Sequence, residues 1–524
     1  MHGVFDIVGP VMIGPSSSHT AGAVRLGLMA CKILGEPAVR ADINLHGSFA
    51  QTYRGHGTDK ALIAGILGFA PDDERIREAL QLAEEKGLSY RFQKVNLEQA
   101  HPNTAVIHLT GTSGRTARVR GSSVGGGNIR ITNIDGYEVE LTGTYPALIT
   151  IHHDRPGIIT KVTQILARYE YNIAFMRVSR HSRGEMAMMI LELDEPLDED
   201  VVAECCEVYE VEHAFAIPAI GLVGESMRKG YEMIQVNFNT VAELMTLAES
   251  QQVPVHEIVL AREMHDSQRS RGDILQEMLR NWQVMQESIE RGIQNTERSL
   301  SGMTGGDAKK LYAYRNQGYM GEAAVSAAAY AVGISEVNAV MGRIVACPTA
   351  GSCGIVPAVL YAAKKQKHLA DADVVLALLT AAGIGMVIDQ NASIAGAAGG
   401  CQAECGTAAG MAAAALVELA DGTPAMIGTA AALAIKNLLG LVCDPVAGLV
   451  EVPCVKRNGF ATVVAMTAAD MTLAGVESVI PVDEVIAAMN EIGRALPKSL
   501  RETSEAGLAV TPTAKAIEKR VYPD

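Results

Sequence analysis

The second half of the chain consists largely of alanine, glycine and apolar residues in runs of helical length. These runs include EAAVSAAAYAVGI, DVVLALLTAAGIGMVI and GTAAGMAAAALVEL. A helix that is apolar on every side has to be buried, and small residues allow neighbouring helices to approach closely. We therefore predict an all-α domain over residues 237–524, with a central core. Its chemistry is expected in the polar loops that join the buried helices.

Two smaller units precede this domain. Residues 1–147 combine strand-like and helix-like patterns and predict an α/β domain. Residues 148–220 read as strand, helix, strand, strand and helix, an order typical of a ferredoxin-like fold. Residues 221–236 are predicted to be a linker. The glycine run Gly125–Gly127 lies between strand-like segments, which favours a bulge or hairpin turn over a dinucleotide site.

The bulk composition excludes several classes of partner. The chain has 524 residues, a net charge of −15 and a pI near 5.4, which argues against nucleic acid or an anionic membrane. Its nine cysteines, an odd number, indicate cytosolic thiols or ligands. The N-terminus lacks the features of a signal peptide. The uncharged run 344–363 is broken by prolines and glycines, so we expect a soluble, cytoplasmic protein without a membrane span.

Three of the cysteines between Asn391 and Cys454 lie beside small residues or proline. Cys401 follows NASIAGAAGG, Cys443 lies in GLVCDPVAG, and Cys454 lies in VPCVKRN. Thiolates that share one compact inorganic core need a backbone that approaches it closely, and glycine, alanine and proline permit this. The pattern predicts an iron–sulfur cluster. Buried free cysteines acting as small hydrophobic residues are the alternative.

Two polar loops of the N-terminal region contain candidate functional groups. Ser16, Ser17, Ser18 and His19 lead into a helical pattern, and the start of a helix can hold a carboxylate or phosphate. An ordinary helix cap is the alternative. His56 lies between two glycines just before another predicted helix, which makes it a candidate proton acceptor; a structural histidine with satisfied hydrogen bonds is the alternative.

The segment 154–159, DRPGII, resembles the loop that opens the first helix of ACT domains. ACT domains are small regulatory modules that bind amino acids, usually between paired copies. The resemblance covers residues 148–220 and implies an amino-acid effector and a role in dimerisation. The adjacent Cys205 and Cys206 on its second helix are interpreted as packing residues.

Five separated motifs together resemble the iron–sulfur-dependent L-serine dehydratases. They are GPSSSHT, GSFAQTYRGHGTD, CPTAGSCGIVPA, NASIAGAAGGCQAE and NLLGLVCDPVAGLVEVPCVKRN. In the two-chain bacterial form, a β chain contains the α/β and ACT units and an α chain contains the helical domain. The resemblance therefore implies a fusion of these chains, β part first, joined near residues 221–236.

The resemblance also implies a cofactor and its ligands. Cys401, Cys443 and Cys454 match the three cysteines that bind a 4Fe-4S cluster with one iron left free for substrate. Cys405 stays open as a rival ligand, whereas Cys347 and Cys353 do not match ligand positions. Some single-chain relatives end in a cysteine that reaches the free iron. This chain ends in VYPD, so water or substrate is expected there instead.

The implied reaction converts L-serine to pyruvate and ammonia. The free iron would act as a Lewis acid on the hydroxyl group, and a base would remove the Cα proton. His56 is the first choice for this base and His19 the second. The following residues are expected to bind substrate: Ser16, Ser17, Ser18, Thr349, Gly351, Ser352, Asn391, Ser393 and Arg457. The chain is expected to form a homodimer.

Two other functions are compatible with parts of the sequence. A pyridoxal-phosphate enzyme could catalyse the same reaction, but it needs a Schiff-base lysine and a phosphate cradle, and Lys436 is a weak candidate for that lysine. The chain could also be a non-catalytic amino-acid sensor whose cysteines report redox state. The several loops rich in serine, histidine and asparagine favour an enzyme.

Overall fold

A computed structural model describes residues 3–14, 16–125, 127–180, 182–220 and 236–522. The predicted linker over 221–236 lies outside the described residues, apart from Val236.

The N-terminal domain is built on a six-stranded mixed sheet. Its strands lie in the order β3-β2-β4-β5-β6-β7, with β2 and β3 parallel and the other pairs antiparallel. Helices α2 and α4 pack on each other, and α2 also contacts the sheet. The antiparallel pairing of β5 with β6 confirms a hairpin at the glycine run. The elements of this region are α1 (Val4–Ile7), β1 (Val11–Ile13), α2 (Gly22–Leu34), β2 (Ala38–His46), α3 (Gly47–Thr52), α4 (Thr58–Ile66), α5 (Ala79–Glu85), β3 (Ser89–Val95), β4 (Thr104–Gly111), β5 (Thr116–Gly125), β6 (Asn128–Ile134) and β7 (Tyr137–Leu141).

The second unit has the predicted ferredoxin-like order and adds a fourth strand at its end. The antiparallel strands lie in the order β11-β8-β10-β9. Leu148 and Leu191 pack with helices α6 and α7, whereas Ile149 and Ile190 join the core of the N-terminal domain. The two units are therefore fixed to each other. The elements are β8 (Ala147–His153), α6 (Ile158–Arg168), β9 (Ile173–Arg180), β10 (Met186–Leu193), α7 (Glu199–Cys206) and β11 (Val211–Ile217).

The C-terminal region, described over residues 236–522, is helical there apart from one short strand. Its helices pack around a core rich in alanine, and Trp282 is the largest fully buried side chain. The elements are α8 (Val241–Gln251), α9 (Val255–Ser267), α10 (Arg271–Gln294), α11 (Asp307–Tyr314), α12 (Gly321–Ala339), β12 (Arg343–Val345), α13 (Ile355–Lys367), α14 (Asp371–Asn391), α15 (Gly396–Gly399), α16 (Thr407–Glu418), α17 (Pro424–Lys436), α18 (Cys454–Leu473), α19 (Val482–Ala495) and α20 (Pro512–Val521).

The first residues of the chain join the helical domain. Val4 and Ile7 are fully buried in its core, and β1 pairs antiparallel with β12. The amide of Asn281 also donates to the carbonyl of Val8 over 2.8 Å. Because β1 is fixed here, the loop that follows it reaches the contact between the two large domains.

Helix α14 is long and apolar enough to cross a bilayer by length and composition, and it is the only such helix in the described parts of the chain. Most of its apolar stretch, 78%, is buried inside the protein. Core packing therefore explains its composition. The uncharged run 344–363 is divided between β12, a loop and α13.

Candidate active site

Two histidines from the N-terminal domain lie together at the contact with the helical domain. His19 lies in a π-helical turn, Ser17–Ala21, and His56 lies just before α4. Their rings meet edge to face, with 4.4 Å between centroids. His19 Nε2 is 2.9 Å from Ser48 Oγ, and its Nδ1 is 3.2 Å from Ser16 Oγ. These hydroxyl contacts hold the imidazole of His19 in place.

His56 presents an unused nitrogen in the same place. Its Nδ1 lies 3.3 Å from Thr52 Oγ1, and its buried Nε2 has no hydrogen-bond partner among the described residues. Burial lowers the pKa of His56 to about 3. Burial, followed by the neighbouring His56 ring, also lowers the pKa of His19. Both imidazoles are therefore neutral near pH 7 and can accept a proton.

The loop of His56 approaches the helical domain closely enough to require glycine. A Cβ on Gly55 would lie 2.4 Å from the carbonyl oxygen of Gly448. Gly57 has a φ of +67°, in the left-handed region that favours glycine. Gly55 therefore permits the close approach of the two domains, and Gly57 permits the left-handed backbone conformation before α4.

The three predicted ligand cysteines are buried and lie on the helical-domain side of this contact. Cys401 follows the small-residue helix α15, and Cys454 is the first residue of α18. Cys443 lies in a loop, where its N–H donates to the carbonyl of Leu500 over 2.9 Å. A Cβ on Gly396 would lie 3.4 Å from Cys443 Sγ. The backbone of the small-residue segment thus passes directly beside a thiol.

The thiols are close enough to influence one another. Burial raises the pKa of Cys454, and the charges of Cys401 and Glu404 add to this effect. Burial also raises the pKa of Cys443, with further contributions from Glu502, Glu404 and the other two cysteines. A positive group among them would reverse this effect by stabilising the thiolates.

Cys405 is also at this site. Its Sγ lies 3.4 Å from Cys401 Sγ, and its pKa is raised first by the contact with Cys401 and then by burial. Cys405 therefore lies beside a predicted ligand, as its spacing in the sequence suggested. Cys347 and Cys353 are buried in the loop between β12 and α13. Burial raises the pKa of the Cys353 thiol to about 12.

Two buried carboxylates, which the sequence analysis missed, connect the two sides. Glu502 Oε1 lies 3.9 Å from His19 Nδ1 and 4.0 Å from His56 Nδ1. The N–H of Glu502 donates to the carbonyl of Cys443 over 2.8 Å. Burial raises its pKa, and the charge of Glu404 adds to this. Glu502 lies in a polar loop without helical or strand periodicity, so no sequence pattern indicated its position.

Glu404 connects the cysteines to the predicted substrate loop. Thr349 Oγ1 donates to Glu404 Oε1 over 2.7 Å, and Ser352 Oγ lies 3.1 Å from Thr349 Oγ1. A Cβ on Gly351 would lie 3.0 Å from Glu404 Oε1. Burial raises the pKa of Glu404 to about 7. Thr349, Gly351 and Ser352 therefore surround a carboxyl group next to Cys401.

A buried asparagine joins this loop to the helix that contains Cys454. Asn458 Nδ2 donates to the carbonyls of Gly351, over 2.8 Å, and Cys454, over 3.0 Å. Its Oδ1 accepts from the N–H of Gly354 over 3.0 Å. The side-chain amide of Asn458 therefore holds the predicted substrate loop against helix α18.

The remaining predicted substrate residues have different surroundings. Ser16 holds His19, and Ser17 and Ser18 are buried in the same turn. Arg457 donates to the carbonyl of Val442 and to Asp444, on either side of Cys443. A second group lies further out on the helical domain. Asn391 is exposed, with Nδ2 donating to the carbonyls of Asn239 and Val387, and half-buried Ser393 accepts from the N–H of Ala395.

The features considered for a pyridoxal-phosphate site do not converge here. Lys436 Nζ donates to the carbonyl of Ser478 over 2.6 Å, at the C-terminal end of α17. At the glycine run, Gly125 pairs with Asn128 in the β5–β6 hairpin. Neither feature lies with the histidines and cysteines described above.

Family models and curated relatives match this arrangement. The family described as "Serine dehydratase beta chain" matches residues 3–133, "ACT domain" matches 147–205, and "Serine dehydratase alpha chain" matches 250–509. The Streptomyces coelicolor "L-serine dehydratase" is 30% identical over 97% of this chain and 98% of its own length. A Bacillus subtilis "Probable L-serine dehydratase, alpha chain" is 49% identical over 54% of this chain and 95% of its own length.

A matching "Probable L-serine dehydratase, beta chain" from Bacillus subtilis is 45% identical over 38% of this chain and 91% of its own length. Fold and site thus define a chain that combines β-type, ACT and α-type parts with one site at the contact of the β-type and α-type domains. The chain belongs to the serine dehydratase family.

Proposed function

We propose that this chain is an L-serine ammonia-lyase that converts L-serine to pyruvate and ammonia. The names of full-length relatives support this activity. The main structural observation is that His19 and His56 from one domain and three cysteines from the other meet around Glu502. A base that removes a Cα proton and a group that binds the leaving hydroxyl must act on adjacent atoms of serine. A site shared by two domains brings these groups together.

The donor set fits a 4Fe-4S cluster held by Cys401, Cys443 and Cys454. Burial and neighbouring charges raise the pKa of the Cys443 and Cys454 thiols, and the positive charge that a cluster supplies would stabilise their thiolates. Gly396 leaves space beside Cys443, because a Cβ added at this position would lie 3.4 Å from the sulfur. Cys405 is the rival for one ligand position. When bound, the cluster would offer an open iron as Lewis acid for the serine hydroxyl.

His56 is proposed as the base that takes the Cα proton. Its free Nε2 is buried, and its lowered pKa keeps it unprotonated at neutral pH. His19 is the alternative base, although both of its nitrogens already contact serine hydroxyls. Glu502 faces both rings and would stabilise whichever imidazolium forms. The aminoacrylate that leaves the site tautomerises and is hydrolysed to pyruvate and ammonia.

The substrate ends are assigned from the groups around this centre. Thr349, Gly351 and Ser352 are proposed to contact the substrate from the helical domain, where Glu404 can accept from its ammonium group. Arg457 and the Ser16–Ser18 turn are proposed to bind its carboxylate. Asn391 and Ser393 stay predicted substrate residues. Excluding water between the domains would strengthen each of these contacts.

Three further parts of the proposal concern the whole protein. The ACT unit is proposed to bind L-serine or a related amino acid, because its DRPGII loop and fold match that class. The chain is proposed to form a homodimer. A cytoplasmic location is proposed because none of the nine cysteines, all of them described, forms a disulfide.

Pyruvate formation tests the activity directly. Chain purified without oxygen should release pyruvate and ammonia in equal amounts from L-serine, and none from L-alanine, which lacks a leaving group. Borohydride treatment should leave the activity intact, since no Schiff base is required. Loss of activity with borohydride would favour the pyridoxal-phosphate alternative, and absence of pyruvate under all conditions would favour a sensor.

A further inference from the structure

A cavity of about 390 Å³ lies beside the proposed site, between the N-terminal and helical domains. His101 and Pro102 line it from the first domain, and Ser393, Ala398, Arg494 and Arg501 line it from the second. Its volume is in the range of small-molecule pockets. The cavity does not contain the proposed base or the predicted ligand cysteines.

Only a thin segment of small residues separates this cavity from the site. The segment GAAGG, residues 396–400, ends at Cys401 and has no side chain larger than a methyl group. On one side, the N–H of Ala397 donates to the carboxylate of Glu502. On the other, the carbonyl of Ala398 accepts from Arg501 Nη1 over 3.1 Å. Cavity and site therefore share one wall.

The charges on the two sides of this wall differ. Arg501 and Glu502 are adjacent in the chain, yet Glu502 faces the histidines and Arg501 lines the cavity. Arg494 is exposed and also lines the cavity. Arg501 Nε is buried without a hydrogen-bond partner among the described residues. No lining residue is a carboxylate, although the whole chain has a charge of −15. The cavity thus attracts small anions locally.

We propose that L-serine enters the site through this cavity, past the small side chains of residues 396–400, guided by its carboxylate from Arg494 to Arg501. This inference rests on the proposed function. It assigns a transport role to residues outside the reacting centre. A substitution in a passage changes the association and dissociation rate constants of the ligand together. A substitution of a binding contact changes the Kd.

Stopped-flow mixing of anaerobic full-length protein with L-serine can separate these effects, with the visible absorbance of the cluster as the signal. Ala398→Trp narrows the passage, so its association and dissociation rate constants should both fall about tenfold, while the Kd stays within about twofold. Ala425→Trp is the matched control, because Ala425 is exposed on α17 and does not line this cavity. It should bind L-serine at the wild-type rate.

Arg494→Glu tests the charge without filling the cavity. Its association rate constant should fall about three- to tenfold at low salt, and the difference from wild type should disappear at high salt. Wild-type association rates in both Arg494→Glu and Ala398→Trp would overturn the passage. A weaker Kd caused only by faster dissociation would also overturn it, since that result makes these residues part of the binding site.

Cysteine alkylation adds a readout that needs no turnover. In cluster-free full-length protein, the ratio of the iodoacetate rate to the iodoacetamide rate at Cys401 should exceed the ratio for free cysteine, and Arg494→Glu should lower it below that ratio. Equal preference in both proteins would contradict the passage. If wild-type holoprotein gives no spectral response to L-serine but keeps the iodoacetate preference, the proposed function fails and the anion passage stands.

Discussion

The histidine side and the cysteine side of the site hold their functional groups in different ways. His19 is fixed by hydroxyl groups, and both imidazoles are close-packed and neutral without any added ligand. The cysteine side is shaped by backbone and space, with Gly396 beside Cys443 and Cys454 at a helix start. The comparison suggests that the base is preorganised by the protein alone, whereas the thiols need a bound positive group for their stability.

Glu502 is the residue that belongs to both sides. Its carboxylate faces the imidazoles, and its backbone is hydrogen-bonded to Cys443. A change at Glu502 should therefore affect the histidines without removing a thiol. This separation gives each side its own set of tests.

The largest effect is expected from removing a thiol. Cys443→Ala should abolish both the brown colour and serine deamination, because the cluster then lacks one of three protein ligands. The visible absorbance of the protein measures the loss of colour, and pyruvate release from L-serine measures the loss of deamination. Cys206→Ala is the control, since Cys206 is exposed on the ACT unit and should behave as wild type. A colourless Cys443→Ala protein with wild-type turnover would contradict the assignment.

Removing the proposed base should leave the cysteine side intact. His56→Ala should lower kcat by about 10²- to 10⁴-fold while the cluster absorbance is unchanged. Exposed His265 provides the control His265→Gln, which should keep full activity. If His56→Ala retains turnover and His19→Ala loses it, the base is His19. Retained turnover in both variants would place the base elsewhere.

Glu502→Gln should have an intermediate effect. It keeps the shape but removes the acidic group that faces both imidazoles, so kcat should fall about 10- to 100-fold, as for other residues that support a metal or catalytic group. The iron content should stay at the wild-type level. Glu505→Gln is the control, because Glu505 is exposed three residues further on and accepts from Gln51. An unchanged kcat in Glu502→Gln would separate Glu502 from the reaction.

The buried histidines should make the fold sensitive to acid. The folded pKa of His56 is about 3, below the ordinary value of 6.5, so only the unfolded chain binds this proton between those values. Stability from this group is present above pH 6.5 and decreases as the pH falls, by up to about 1.4 kcal/mol per pH unit. The free energy of unfolding, measured in urea, should therefore decrease less between pH 7 and pH 5 in His56→Gln than in wild type. Equal losses would contradict neutral burial of His56.

The smallest effect on catalysis is expected from the ACT unit. Gly157 has a φ of +94° in the DRPGII loop, so Gly157→Val should strain this loop and weaken any amino-acid effect. Equilibrium dialysis of cluster-free Gly157→Val protein with L-serine should show one class of binding sites fewer than cluster-free wild type, while the kcat of the cluster-loaded variant changes less than about twofold. Deletion of the whole unit is a poorer test, because Ile149 and Ile190 are buried against the N-terminal domain. Unchanged binding in Gly157→Val would remove the effector proposal.

Much of the fold follows from local patterns in the sequence. The alanine-rich helices, the ACT loop and the β5–β6 hairpin are specified by periodicity and turn residues within short segments. Long-range placement is different. The insertion of Val4 and Ile7 into the helical core and the pairing of β1 with β12 depend on partners more than 300 residues away along the chain.

The candidate site divides in the same way. Residue types predicted His56 and the three cysteines as functional groups, and motif resemblance provided their roles. Glu502 was missed because neither its neighbours nor its spacing is unusual, and only the fold brings it to the histidines. Ser16 illustrates a further limit, since a hydroxyl predicted to bind substrate can serve to orient a neighbouring imidazole.

One measurement tests the central claim that serine is activated between the cysteines and the histidines. Anaerobically purified wild-type protein should contain about four irons per chain. Its visible spectrum should change on addition of L-serine, and pyruvate should form in proportion to iron content. Iron-free protein that releases pyruvate from L-serine at the full rate would contradict the account.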